Sequence, residues 1–226
     1  AVLPMTPDQM TLTAIFLLLF VQDELTYDKH NEKYERIYRL ESHFDIAGKQ
    51  DLFAIVPIPM APTLKNEFPE IETFTRLAPE RDIRMRYGEK EFAEEGICFA
   101  DSTVFDVFTF QFLKGSPLQA LTEPFTTVLT QSFATRYFGD EDPMGKILES
   151  SVNRQYKVTA VVADLPENTH LRFDCLLSAS SIAQMMGAER FNSTEPGAFW
   201  NIGVFAFVLM KPNTDVAVLQ DKFEPF

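Results

Sequence analysis

Tyr156-Lys-Val-Thr-Ala-Val-Val-Ala163 and Gly203-Val-Phe-Ala-Phe-Val-Leu-Met210 carry the cleanest β signals in the chain. The first is rich in β-branched residues, which fit a pleated, half-buried surface. The second is apolar on both faces, the pattern of a central strand covered by a layer on each side. A central strand needs neighbours on both edges, because an open edge invites association. Residues 36–44, with Ile37, Tyr38 and Leu40 as strand formers, are expected to supply one of them.

Working outward, helical periodicity is short and local. Leu64, Phe68 and Ile71 repeat at i, i+4 and i+7 behind Pro57-Ile-Pro-Met-Ala-Pro62, so a helix opens there, with prolines tolerated in its first turn. Pro69 ends or kinks it. Gln131-Ser-Phe-Ala-Thr-Arg-Tyr-Phe138 reads as a helix closed by Gly139. Residues 178–187 suggest another. A last one begins near Asp215, capped by Asn213 or Thr214, with Val216, Leu219 and Phe223 on one stripe. Strands are expected over 36–45, 73–77 and 125–130, with another running through Leu177. A hairpin is expected over 82–93, where Ile83, Met85 and Tyr87 alternate with Arg84 and Arg86 ahead of Gly88-Glu89. This mixture of short strands and short helices, without internal repeat or low-complexity linker, is an α+β chain that reads as two interleaved lobes.

Composition bounds the function. The chain has 226 residues, enough for one large domain or two small lobes without disulfide staples. Its 20 Lys+Arg against 33 Asp+Glu leave a net charge of −13, which disfavours nucleic acid and electrostatic docking on anionic lipid. Two cysteines, Cys98 and Cys175, make neither a disulfide framework nor a cysteine zinc site. They fall in segments expected in different parts of the fold and are predicted to stay unbridged. The 22 Phe imply a Phe-packed core, with a Phe-lined ligand groove as the alternative.

Leu12-Thr-Ala-Ile-Phe-Leu-Leu-Leu-Phe-Val21 is an apolar run with a single Thr. As a helix, residues 10–21 span about 18 Å, short of the roughly 30 Å hydrocarbon core. Lys29 is the first basic residue, so the run lacks the charged start of a signal peptide. It can be the outer half of a transmembrane helix, a buried core helix or an interfacial anchor. The near absence of a polar face favours the first. Polar residues follow at once, and a helical stalk is expected through about Asn31.

Rival chemistries fall one by one. Gly139-Asp-Glu-Asp-Pro-Met-Gly-Lys146 has five residues between its glycines where a phosphate loop has four, and Ile147 stands where Ser or Thr must hold magnesium. Asp140, Glu141 and Asp142 lack the alternate spacing of a calcium loop, so a solvated charge run is the plainer reading. Glu94 and Glu95, adjacent on a strand, point to opposite faces and read as rim residues. Cys98 between Ile97 and Phe99 reads as a buried thiol. His170, beside Asn168 and Thr169, reads as a loop hydrogen-bonding group.

The ordered set of segments resembles a known family. Phe20-Val-Gln-Asp-Glu-Leu-Thr-Tyr-Asp-Lys-His-Asn31 and Arg36-Ile-Tyr-Arg-Leu40 are similar to the first periplasmic stretch of a MacB-like, FtsX-type ABC transporter permease of the branch common in Bacteroidetes. Phe105-Asp-Val-Phe108, Phe112-Leu-Lys-Gly115, Val128-Leu-Thr-Gln-Ser-Phe-Ala134, residues 137–146 and Tyr156-Lys-Val-Thr-Ala-Val-Val-Ala-Asp-Leu-Pro166 agree. The likeness covers nearly all of residues 20–226, and no single motif in it is decisive.

The resemblance implies a periplasmic core domain at the inner membrane. It implies a porter-like α/β lobe over 32–101 and 197–226, an inserted mixed, β-rich Sabre-like lobe over 102–196, and a transmembrane remnant and polar stalk over 1–31. It implies no enzyme: no catalytic, cofactor-binding or metal residues, and no cofactor. Implied partners are a cytoplasmic ATPase domain or subunit, a second permease copy, the membrane through flanking helices, and in some relatives a periplasmic adaptor. Implied function is mechanotransmission, in which cytoplasmic ATP hydrolysis drives periplasmic motion for export or efflux. A soluble periplasmic module that captures a small ligand between its lobes is the alternative. Family members carry a further strand beyond the last helix, so the porter-like lobe is expected here to lack an edge strand.

Overall fold

A computed structural model describes residues 26–46, 49–81, 83–93, 96–220 and 222. The apolar run 12–21, Glu94, Glu95 and Phe223 lie outside the described residues. No helix among the described residues is long and apolar enough to cross a membrane.

The strands, in chain order, are β1 (Ile37–Arg39), β2 (Ser42–Ile46), β3 (Lys49–Phe53), β4 (Val56–Pro57), β5 (Ile71–Glu80), β6 (Arg84–Tyr87) and β7 (Lys90–Ala93). There follow β8 (Ile97–Ala100), β9 (Phe112–Lys114), β10 (Thr126–Thr130), β11 (Ile147–Ser150), β12 (Gln155–Val162), β13 (Cys175–Ser178) and β14 (Ile202–Met210). The α-helices are α1 (Met60–Glu67), α2 (Val104–Val107), α3 (Gln131–Phe138), α4 (Ala179–Met186), α5 (Ala188–Phe191) and α6 (Val216–Gln220).

Among the described residues one 12-stranded sheet runs β1-β14-β5-β8-β13-β10-β12-β11-β6-β7, with β4 added to β14 and β9 to β12. It is mixed: β8 with β13 and β10 with β12 are parallel, and the other pairs are antiparallel. The class is therefore α+β, as the sequence implies. The sheet crosses from one expected lobe to the other without a break, through β8 and β13. The β6–β7 hairpin, from the stretch expected in the first lobe, pairs with β11 of the second.

Strand β14 behaves as its two-sided composition demands. Val204, Ala206, Val208 and Met210 pack on one face with Ala61, Leu64 and Phe68 of the α1 region and Leu219 of α6. Leu209, Phe205 and Phe207 turn to the opposite face, toward Val104, Val107 and Phe108. Its neighbours are β5 and the expected N-terminal strand, with Ile37 opposite Leu209. That strand is shorter than the expected 36–45. Three residues join the sheet, and β2 leaves to form a separate ribbon with β3.

Strand β12 carries a device the sequence hides. Thr127 pairs with Val158 but Val128 with Ala160, so Thr159 is an extra residue in the ladder. The bulge reverses the alternation. Tyr156 and Val158 enter one core with Phe133 and Tyr137 of α3, whereas Ala160 and Val162 enter the other with Val104 and Phe108. Gly115 lies against this bulge with φ 81. A Cβ there would stand 2.5 Å from the Thr159 carbonyl oxygen, so no side chain fits.

Helix α3 forms over the predicted residues. The Thr130 hydroxyl accepts from Phe133 N at its start, and Gly139 closes its end with φ 62. At α6 the capping group is Asp215, whose Oδ1 accepts from Ala217 N at 3.1 Å and Val218 N at 3.3 Å, rather than Asn213 or Thr214.

Candidate functional site

The motifs singled out in the sequence resolve into structural roles. Cys98 and Cys175 sit on adjacent strands, not in separate parts of the fold, and both are buried and outside any disulfide. Leu176 pairs with Cys98, so the two thiols are offset by one residue and face opposite cores. Burial alone pushes the Cys98 thiol up to about 11, the reverse of what a nucleophile needs.

In the 139–146 loop, Lys146 lies over the rings of Tyr87 (5.3 Å) and Phe138 (5.8 Å) and pairs with Glu141, while Asp142 takes Lys114 at 2.8 Å. The Lys146 hydrogen bond, then its charge, holds the Glu141 carboxyl below its ordinary value. Glu141 and Asp142, which resemble part of a cation site, are thus spent on ion pairs with Lys146, beside Tyr87 of β6, and with Lys114 at the end of β9. Among the described residues no group of three or more His, Cys, Asp or Glu could hold a metal ion.

The best-organised polar cluster lies where the N-terminal segment enters the body. Residues 27–30 form a turn rather than the helical stalk expected through about Asn31, and Asp28 takes φ 58. The residues after it are tied to the loop 168–171. Asp28 N donates to Asn168 O at 3.0 Å, and Asn168 Nδ2 donates to Thr26 Oγ1 at 3.1 Å. The Asp28 carboxylate accepts from Thr169 Oγ1 at 2.6 Å and from His170 N at 3.0 Å, and the His170 Nδ1 atom stands 2.7 Å from its second oxygen. Tyr27 packs its ring on His170, with centroids 4.7 Å apart.

Partial burial opposes ionisation of Asp28. The Thr169 hydroxyl and the His170 ring and amide outweigh it and hold the carboxyl below its ordinary value.

A second set of bonds faces α2. Buried Asn31 accepts from Thr109 N at 2.9 Å and donates to Asp28 O at 3.0 Å. Glu32 N donates to Thr109 Oγ1 at 2.9 Å, and Lys33 Nζ to Asp106 O at 2.7 Å. Arg36 then reaches Met210 O at 2.8 Å and Glu72 at 2.7 Å. A shallow cavity of about 200 Å³ opens beside Glu32 and Lys33, lined by Phe105, Phe110 and Phe112. Residues 26–36 are therefore clasped to the body from both sides. These bonds tie residues 26–36 to the 168–171 loop, to the α2 region and to the end of β14. The sequence shows Asp28 and His170 as separate polar residues, and nothing in their spacing announces the contact.

No family model matches the chain, and no curated protein matches it. Among solved structures 21 chains match. A domain assigned to a permease protein from Porphyromonas gingivalis is 23% identical, with a TM-score of 0.67 over 85% of this chain and 82% of that one. The periplasmic region of MacB from Actinobacillus actinomycetemcomitans is 18% identical, with a TM-score of 0.55 over 74% of this chain and 70% of that one. The fold is that of a MacB-like periplasmic domain. The extracellular domain of the ABC-type transporter YknZ from Gram-positive bacteria shares it at 14% identity, with a TM-score of 0.55 over 81% of this chain and 86% of that one. In the chain the clasp lies immediately ahead of β1, the edge strand beside β14.

Proposed function

We propose that this chain is the extracytoplasmic core domain of an ABC transporter permease, held at the periplasmic face of the inner membrane. In this reading it is not itself an enzyme. It couples cytoplasmic ATP hydrolysis to periplasmic conformational change in export or efflux. Its partners are a cytoplasmic ATPase domain or subunit, a second permease copy and, in some assemblies, a periplasmic adaptor. The observation that carries the reading is the shared fold over 85% of this chain with a permease domain.

The clasp supports it, because a domain moved from its membrane side needs a stiff joint there. The two-lobe organisation, 32–101 with 197–226 against an inserted 102–196, belongs to the same proposal. Hydrogen bonding of β6 to β11 joins the hairpin of the first lobe to the inserted lobe. A module closing on a ligand between two lobes is less well supported, since the parts share one sheet.

The test is made on the full-length gene product, tagged and extracted in detergent. Copurification of an ABC-class ATPase, or ATPase activity within the chain, is expected. An Asn31→Ala/Asn168→Ala variant should then hydrolyse ATP but lose export. Recovery of the product as a free secreted protein without an ATPase would overturn the proposal.

A further inference from the structure

Residues 187–201 leave α4 and run to β14 with one buried side chain, that of Phe191, at 8% exposure. Phe191 belongs to none of the three apolar cores. It is buried instead on a guanidinium: Arg76 Cζ stands 4.6 Å from its ring centroid. Arg76, 6% exposed, is fixed from elsewhere. Its Nε and Nη2 donate to the two oxygens of Asp101, each at 2.9 Å, and Nη1 reaches Ile58 O at 3.3 Å. A stack of this kind is a real but small attraction.

The segment's other bonds stay inside it. Phe191 N donates to Gly187 O at 3.1 Å, Asn192 N to Ala188 O at 3.0 Å and Asn201 N to Ala198 O at 3.1 Å. Among the described residues, the hydrogen bond from the body to 187–201 is Ile58 N to Asn201 O at 3.0 Å, where the segment becomes β14. At the other end Gly187 takes φ 92 with open space around it, a hinge free of steric restraint.

We infer that residues 187–201 form a strap whose one buried anchor between its ends is Phe191 seated on Arg76, and that the strap opens as a unit, from Gly187 to the Ile58–Asn201 bond, while the sheet stays folded. The platform survives opening because Asp101 and Ile58 hold Arg76 without Phe191. Elements with few buried contacts and exposed backbone bonds sit at the low end of local stability, and moving parts are drawn from that end. Opening would also free Trp200, the chain's single tryptophan and 84% exposed, to swing with the strap. This inference is independent of the transport proposal, and its failure leaves that proposal intact.

Amide exchange followed by NMR on the purified protein tests it, with Trp200 anisotropy as a second readout. The Asn192 amide should exchange at least about tenfold faster than amides of β5, β8 and β14 in the unaltered chain. Phe191→Ala should speed Asn192 by a further factor of about ten and lower the anisotropy, with the strand amides unchanged. Phe191→Leu, which keeps apolar bulk but removes the aromatic face, should move Asn192 in the same direction and secures the test if the alanine variant misfolds. Strap amides that exchange at the strand rate, or variants that leave Asn192 unchanged or accelerate the strands equally, overturn the inference.

Discussion

Asp101→Ala is the most informative single perturbation of the fold. Asp101 Oδ2 accepts from both Arg76 N at 2.8 Å and Arg76 Nε at 2.9 Å, and Oδ1 accepts from Nη2 at 2.9 Å. The side chains of Arg76 and Asp101 are only 7% and 16% exposed. Removing the carboxylate leaves a guanidinium and a backbone N–H without their partner in a place water barely reaches. Orphaning one member of a buried pair costs about 3–5 kcal/mol, and the slight exposure of Asp101 argues for the lower end. At about 2–4 °C per kcal/mol for a chain of this size, about 3 kcal/mol lowers Tm by about 6–12 °C. Replacing both members at once, Arg76→Met with Asp101→Leu, removes the charge along with its partner and should cost less than Asp101→Ala alone. Chemical denaturation of the three proteins, with Glu41→Ala at the exposed Arg39 pair as a surface control, measures this. A loss below about 1 kcal/mol for Asp101→Ala, or a double variant worse than the single one, would refute the reasoning.

Three further outcomes follow from particular contacts. The Asp28 carboxyl is held below its ordinary 3.8 in the folded chain, so its contribution is complete above about pH 4 and fades as pH falls through the lowered value. NMR of the His170 amide should follow that fall, and a signal unchanged between about pH 5 and pH 2 would count against the clasp. Thiol titration of the denatured, unreduced protein should find both Cys98 and Cys175, with Cys98 resisting alkylation at neutral pH in the folded state, and a count of zero would contradict their opposed faces. Gly115→Ala should destabilise by about 2 kcal/mol or more, read by thermal melting, since its Cβ would press on the Thr159 carbonyl at the bulge. An unchanged Tm would mean that the bulge yields freely.

What the sequence determined by itself is what local pattern controls. The two-faced run 203–210 demanded a central strand, and β14 buries both faces. The Gly139 stop bounded the end of α3, and alternation of Ile83, Met85 and Tyr87 made the hairpin. The α+β class follows from such segments, since each period of hydrophobicity is read within a few residues.

Tertiary structure alone decided where those segments meet. Cys98 and Cys175 are far apart in sequence, yet a parallel register sets them on neighbouring strands with thiols turned apart. The bulge at Thr159 reverses which core Val158 and Ala160 enter, and no residue type marks it. Asp28 meets His170, and Phe191 meets Arg76, across long stretches of chain. Polar and cationic side chains have many possible partners of equal chemistry. The choice among them is made by the packing of the sheet and its helices, which no local pattern encodes.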